Sequence, residues 1–292
     1  MAAVVMDTVL PFVDFTSLLP HPEKLRLQAQ ELGYACFRGL LPPADVMDLR
    51  RRILELCSGE GWLDAGAPIL AGIAAKGCRV VEGEAAWFRF YAKAQRLRAF
   101  HALNHHPALL AAIGALIGGP VLPHPRVISR VVMPGTARHT TPPHQDYWYI
   151  HGTRETWTTW LPLGDCPSEL GGLALLPGSH LRGVLPMRPS LGPGGQEVDA
   201  DLAGDWHTGP MHCGDVLVFN SLTVHQARDN HTADRVRLSA DFRYQSPQEP
   251  IDPASLRPHG DVVSWDDIYA GWPAEDPLKS YWKQTNPSPC AR

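Results

Sequence analysis

Asp215-Val-Leu-Val-Phe-Asn-Ser-Leu-Thr-Val-His225 is the stretch on which the fold turns. A run of branched and aromatic residues follows the Gly214-Asp215 turn signal, reads as a buried strand, and ends on a histidine. Similar short runs lie around it: Val127 to Met133, Glu155 to Leu163, Gly172 to Leu176 and Arg235 to Tyr244. Pro134-Gly135, Gly164-Asp165, Gly171-Gly172 and Pro177-Gly178 punctuate them as turns. The residues Arg188 to Asp205, rich in Gly and Pro, read as a long excursion between strands and a candidate lid.

Upstream the texture is helical. Pro22 to Leu32 contains helix formers and is closed by Gly33, after which Tyr34 to Arg38 reads as a strand. Ala44 to Leu56 places Val46, Leu49, Ile53 and Leu56 at helical spacing, and a further helix from about Pro107 to Leu116 stops at Gly118-Gly119-Pro120. Helices first and short strands afterwards predict an α+β protein with a mainly β core. The core would be a sandwich or jelly roll with the N-terminal helices packed on one sheet. One domain over 1–292 is expected: a helix-rich part over about 1–120, the core over about 121–245, and a C-terminal extension over 246–292.

The chain has 292 residues, 44% hydrophobic and 19% charged, with a net charge of −4. That composition supports a sizeable core and offers no basic excess for a nucleic-acid backbone. Met1 to Asp7 has neither the basic flank nor the apolar run of a signal peptide, and no window approaches a membrane span. Cys290-Ala-Arg292 does not read as a peroxisomal or prenylation signal. The 6 cysteines form no Cys-x-x-Cys pair, so reduced thiols and a cytoplasmic location are expected. The partners implied are a small-molecule substrate, with no nucleic acid and no membrane, in a monomer or homodimer.

His144-Gln-Asp146 is the chemical centre of this reading. Two histidines and one carboxylate can hold one face of a ferrous ion and leave the other face open. With 14 histidines in the chain, about one His-x-Asp triplet arises by chance, so context must decide. In an extended segment His144 and Asp146 share a face, and His225 would come from the end of a neighbouring strand. The second triplet, His259-Gly-Asp261, sits in Pro-rich sequence with nothing comparable after it and is rejected. His180, after Pro177-Gly-Ser179, reads as fixing a turn.

Activating O2 needs further electrons, which a dicarboxylate such as 2-oxoglutarate can supply, and its far carboxylate needs a cation. Arg237 and Ser239 share a strand face and can meet it with a guanidinium and a hydroxyl; Arg235 lies on the same face and competes.

At this point the chain resembles the phytanoyl-CoA dioxygenase family of iron(II)- and 2-oxoglutarate-dependent oxygenases. The resemblance runs from about Gly33 to Gln245. It rests on Pro143-His-Gln-Asp-Tyr147, Trp160-Leu-Pro-Leu-Gly-Asp165, Gly171-Gly-Leu-Ala-Leu-Leu-Pro-Gly-Ser-His180, Gly214-Asp-Val-Leu-Val-Phe219, and His225 with Asp234-Arg-Val-Arg-Leu-Ser239. It implies a double-stranded β-helix, iron(II) on His144, Asp146 and His225, which form the catalytic centre, and an arginine after the distal histidine on 2-oxoglutarate. The family often has that arginine about eleven residues on, whereas Arg235 and Arg237 flank that position; Arg-x-Ser recurs in related oxygenases and favours Arg237. Retention of Asp146 implies hydroxylation, or another two-electron oxidation of a C–H bond, over halogenation.

For the substrate, Tyr147, Trp148 and Tyr149 follow the metal pair, and Trp157 and Trp160 fall on opposite faces of the next strand. Thr158 shares the face of Trp160 and is placed to meet the cosubstrate. Trp87-Phe-Arg-Phe-Tyr91, with Arg89, and Arg130 are candidates for an anionic group, in competition with packing and surface roles. No basic cluster grips coenzyme A, so a biosynthetic intermediate is the expected substrate. Two rival readings remain open: a cupin-like metalloenzyme independent of 2-oxoglutarate, and a non-catalytic jelly-roll binding protein.

Overall fold

The computed structural model describes residues 8–135, 140–285 and 287–290. Met1 to Asp7 and the last two residues therefore lie outside the described residues, together with the readings made on them. The first third is helical: a strand β1 (Thr8–Leu10) precedes α1 (Pro22–Leu32), β2 (Tyr34–Phe37) and α2 (Pro43–Gly59). Then come α3 (Ala85–Ala94), α4 (Arg98–Asn104) and α5 (Pro107–Ile117). The first, second and fifth helices match the expected ones closely; α3 and α4 are additions. Trp87, Phe90, Tyr91 and Ala94 fall on one buried stripe of α3, a helical spacing hidden in sequence by aromatic residues of poor helix propensity. Trp87 and Tyr91 stack at 4.2 Å, and with Phe90 they pack the core, whereas Phe88 points outward.

Strands follow: β3 (Leu122–Pro123), β4 (Ile128–Val132), β5 (Trp157–Pro162), β6 (Leu173–Leu175), β7 (Met187–Pro189), β8 (Gln196–Val198), β9 (Asp205–Thr208), β10 (Val216–Asn220), β11 (His225–Ala227) and β12 (Arg237–Gln245). A one-turn helix α6 (Tyr147–Ile150) interrupts them, and α7 (Trp265–Tyr269) and α8 (Trp282–Thr285) come last. The larger sheet runs β2-β10-β5-β12-β3 with β4 also on β12, and the smaller runs β1-β9-β6-β11. The two sheets form the β sandwich of a cupin-like jelly roll, with helices on the outside of the larger one.

Strand alternation builds both layers. Val216 and Val218 of β10 join the helix-side core, while Leu217 and Phe219 point between the sheets toward Leu173 and Leu175. On β12, Leu238, Ala240, Phe242 and Tyr244 face the helices, and Arg237, Ser239, Asp241, Arg243 and Gln245 face inward, all buried. A row of buried polar side chains is costly unless each finds a partner or a ligand, which marks this face as the working one.

Two local expectations are corrected. The strand over Asp215 to Val224 stops at Asn220, where Thr223 N–H donates to the Asn220 carbonyl at 2.8 Å and the chain turns. His225 therefore opens β11 in the opposite sheet and does not end β10. The 188–205 excursion contains a hairpin over Met187 to Val198: β7 pairs antiparallel with β8, and Val198 N–H is tied to the Pro143 carbonyl at 2.8 Å. Among the described residues no helix is long and apolar enough to cross a membrane.

Candidate metal centre

Backbone pairing creates the site. His144 and His225 exchange both N–H···O=C bonds, at 2.9 and 3.0 Å, and Tyr147 N–H donates to the Ser221 carbonyl at 2.9 Å. Gln145, between the two ligands, turns the other way: its amide donates to the Leu222 and Gly183 carbonyls, and its oxygen accepts from Leu185 N–H. The segment carrying His144 and Asp146 is thus sewn to the turn that carries His225. It is not extended throughout, since Asp146 already has helical angles (φ −59°, ψ −30°) as it enters α6. That bend, rather than a strand repeat, brings the carboxylate onto the histidine side.

Ligand atoms of His144, Asp146 and His225 lie within 4.8 Å of one another, all buried. The Nε2 atoms of His144 and His225 stand 3.6 and 3.9 Å from Asp146 Oδ1. Each Nδ1 is held by a main-chain carbonyl, of Pro142 at 2.8 Å and of Thr223 at 2.9 Å, so both rings turn Nε2 to the centre. Burial and the neighbouring His144 push His225 down to about 3, which leaves a neutral imidazole ready to ligate. Burial would raise the Asp146 carboxyl, but Arg243 and the two histidines outweigh it and hold it well below the usual carboxylate range. Two nitrogens and one oxygen on one side of a cavity fit a ferrous ion.

The same cavity is lined by Arg130, Thr158, Trp160, Leu173, Phe219, Arg237 and Asp241. Arg237 is 3% exposed; one terminal N–H donates to Ser239 Oγ at 2.9 Å, and its Nε has no partner among the described residues. Its guanidinium stands 5.9 Å from the Trp160 ring centroid. A buried guanidinium with a spare donor, in the cavity of the metal triad, fits the far carboxylate of 2-oxoglutarate. Arg235 precedes β12 and does not line this cavity. Thr158 does line it, but its hydroxyl donates to Asp146 Oδ2 at 2.6 Å, so it serves the metal carboxylate.

The substrate candidates separate. Trp160 faces the cavity and Trp157 packs in the helix-side core, as strand alternation requires. Helix α6 fans its aromatics apart: Tyr149 lies against the His144 ring, 5.8 Å between centroids, while Trp148 is 40% exposed and donates to the Leu185 carbonyl at 2.8 Å. Tyr147 packs against His151 instead of lining the cavity. Arg89 is on the surface of α3, paired with Glu60 at 3.4 Å, and is not at the site. Arg130 is there but spoken for, with Glu82 at 2.6 Å and Asp241 at 3.2 Å, which leaves little charge for an anion. Of the two motifs set aside, His259 pairs with the Tyr91 hydroxyl at 2.8 Å and His180 with the Gln30 carbonyl at 2.8 Å.

Sequence reasoning missed Arg243, whose Nε and Nη2 donate to Asp146 Oδ2 at 3.3 and 3.2 Å. Its signal was present: Arg-x-Ser-x-Asp-x-Arg alternates through β12, and only its first half was read.

The profile of the phytanoyl-CoA dioxygenase (PhyH) family matches residues 29–238. The 1-deoxypentalenic acid 11-beta-hydroxylase of Streptomyces exfoliatus is 29% identical over 253 residues, covering 82% of this chain and 86% of its own. Among solved structures, the epimerase SnoN in complex with Fe3+, alpha ketoglutarate and nogalamycin RO superposes with a TM-score of 0.58 at 22% identity, covering 84% of this chain and 92% of its own. The alpha ketoglutarate dependent carbocyclase SnoK gives 0.53 at 23% identity, covering 80% and 88%. With the fold, the triad and the matched span in agreement, the chain belongs to the phytanoyl-CoA dioxygenase family of iron(II)- and 2-oxoglutarate-dependent oxygenases.

Proposed function

We propose that His144, Asp146 and His225 bind iron(II), that Arg237 with Ser239 binds 2-oxoglutarate, and that the protein oxidises an unactivated C–H bond of a small biosynthetic intermediate, releasing succinate and CO2. One observation carries this reading: three convergent ligand atoms and a buried, part-satisfied guanidinium share one cavity. Iron and 2-oxoglutarate, when bound with O2, supply the oxidising power.

The chain's own residues supply position. The Pro142 and Thr223 carbonyls hold the histidine rings, Arg237 with Ser239 would hold the far carboxylate of the cosubstrate, and Trp160 lines the cavity beside Arg237. Leu173, Phe219 and Ala227 give the cavity an apolar wall. Next to this cavity Val80, Val81, Val131, Val132 and Pro193 surround Glu82 and Arg130, an apolar approach suited to a substrate with a hydrocarbon body. A hydroxylase, an epimerase and a carbocyclase among the similar proteins support a substrate of natural-product type, and hydroxylation is the outcome we favour. We read the whole chain, 1–292, as one catalytic domain in a cytoplasmic enzyme.

Anaerobic addition of iron(II) and then 2-oxoglutarate should produce a metal-to-cosubstrate charge-transfer band, and admission of air should produce succinate. His225→Ala should abolish the band. Absence of both signals from the unaltered protein would defeat the proposal.

A further inference from the structure

Asp146 has two oxygens, and their surroundings differ. Oδ1 faces the Nε2 atoms of both histidines, whereas Oδ2 accepts from Thr158 Oγ1 at 2.6 Å and from Arg243 Nε and Nη2 at 3.3 and 3.2 Å. The two donors are register partners, Arg243 on β12 directly opposite Thr158 on β5, so the ladder itself delivers both to one atom. Asp146 is the acceptor that the Arg243 side chain meets among the described residues, although this guanidinium is only 5% exposed. A buried ion pair of this kind contributes little net stability, because desolvation offsets the attraction. Its use must lie in what it orients.

Resting on the ligand assignment above, we infer that Arg243, with Thr158, is a positioning residue that holds Asp146 as a one-oxygen ligand. A carboxylate ligating through both oxygens would occupy a further coordination position, and a 2-oxoglutarate enzyme needs those positions for cosubstrate and O2. With Oδ2 committed to three N–H and O–H donors, rotation about the carboxylate axis breaks all of them.

The test uses the full chain, with iron(II) and 2-oxoglutarate as probes under anaerobic conditions. Unaltered protein is titrated first; failure of that titration would overturn the ligand assignment itself. Given a normal titration there, Arg243→Ala should weaken iron(II) binding about 10- to 100-fold, the usual cost of removing a group that supports a ligand. At saturating iron it should also shift the charge-transfer band or demand more 2-oxoglutarate to form it. Arg243→Lys, which keeps the charge but loses the fork, should recover only part of the metal affinity. Thr158→Val, close in size, should change the same readouts in the same direction by a smaller factor, which keeps the inference testable if Arg243→Ala fails to fold. Unchanged iron affinity and an unchanged band in folded Arg243→Ala, or in Thr158→Val where that variant alone folds, would overturn it.

Discussion

Arg235 and Arg237 stand two positions apart, and burial is what separates them. Arg237 is the first residue of β12, sealed in the cavity with an Nε that has no partner among the described residues, whereas Arg235 is half-buried outside it. Arg237→Ala should therefore raise the 2-oxoglutarate concentration needed for the charge-transfer band by at least about tenfold, since truncating one partner of a buried charge pair costs about 2–5 kcal/mol. The affinity for iron(II) alone should hardly move. The check is a pair of titrations, metal first and cosubstrate second, with Arg235→Ala as the control. Equal responses from the two variants would remove the assignment. Residue identities for the metal triad were readable in sequence because the chemistry needs those atoms and few others serve. The dedication of Thr158 and Arg243 to one oxygen of Asp146 was not, because hydrogen-bond partners come from other strands.

Elements act by setting where such residues arrive. Gly33 ends α1 in the left-handed conformation (φ +76°), and its carbonyl accepts from Asn220 N–H at 2.9 Å and Thr223 Oγ1 at 2.7 Å. It thereby anchors the turn that delivers His225. A Cβ on Gly33 would fall 2.3 Å from His180 Nδ1 and 2.6 Å from Thr223 Oγ1, so both side chains would have to shift. Gly33→Ala should destabilise the protein by about 1–3 kcal/mol, from steric overlap combined with strained φ. It should also weaken iron(II) binding, as the His225 turn shifts. Thermal melts with and without metal would register both effects. An unchanged melting temperature would show that the contact is dispensable. The helix stop at Gly33 was legible from sequence; its second task beneath the His225 turn appears only once α1 meets β10.

At the scale of the molecule, histidines that fold neutral make stability depend on pH. Burial pushes His101 down to about 4 and His124 down to about 3, while the unfolded chain titrates them near 6.5. Below pH 6.5 the unfolded state therefore binds more protons, so their contribution is full above that value and is lost as the pH falls. Two such groups imply a loss of about 4 kcal/mol between pH 7 and pH 5. Urea unfolding of the metal-free protein at the two values tests this. A midpoint that does not fall at pH 5 would contradict the burial of these rings. Neither residue drew notice in the sequence, because burial of a polar ring depends on packing: His101 lies beneath Trp272 and bonds the Gln95 carbonyl, and His124 meets Gln245.

The sequence by itself determined the layer order, helices on a β sandwich, because periodicity and turn residues are local properties. It also determined the metal triad and the Arg-x-Ser face. Only the tertiary structure decided which sheet carries His225, that Asp146 enters the site on a helical turn, and that Arg130 is already paired. The same is true of Arg89 and Trp148, which lie away from the cavity, and of Arg243, which reaches the carboxylate. These are facts of strand register and burial, set by the pairing of segments far apart in sequence, and no single segment encodes its partner.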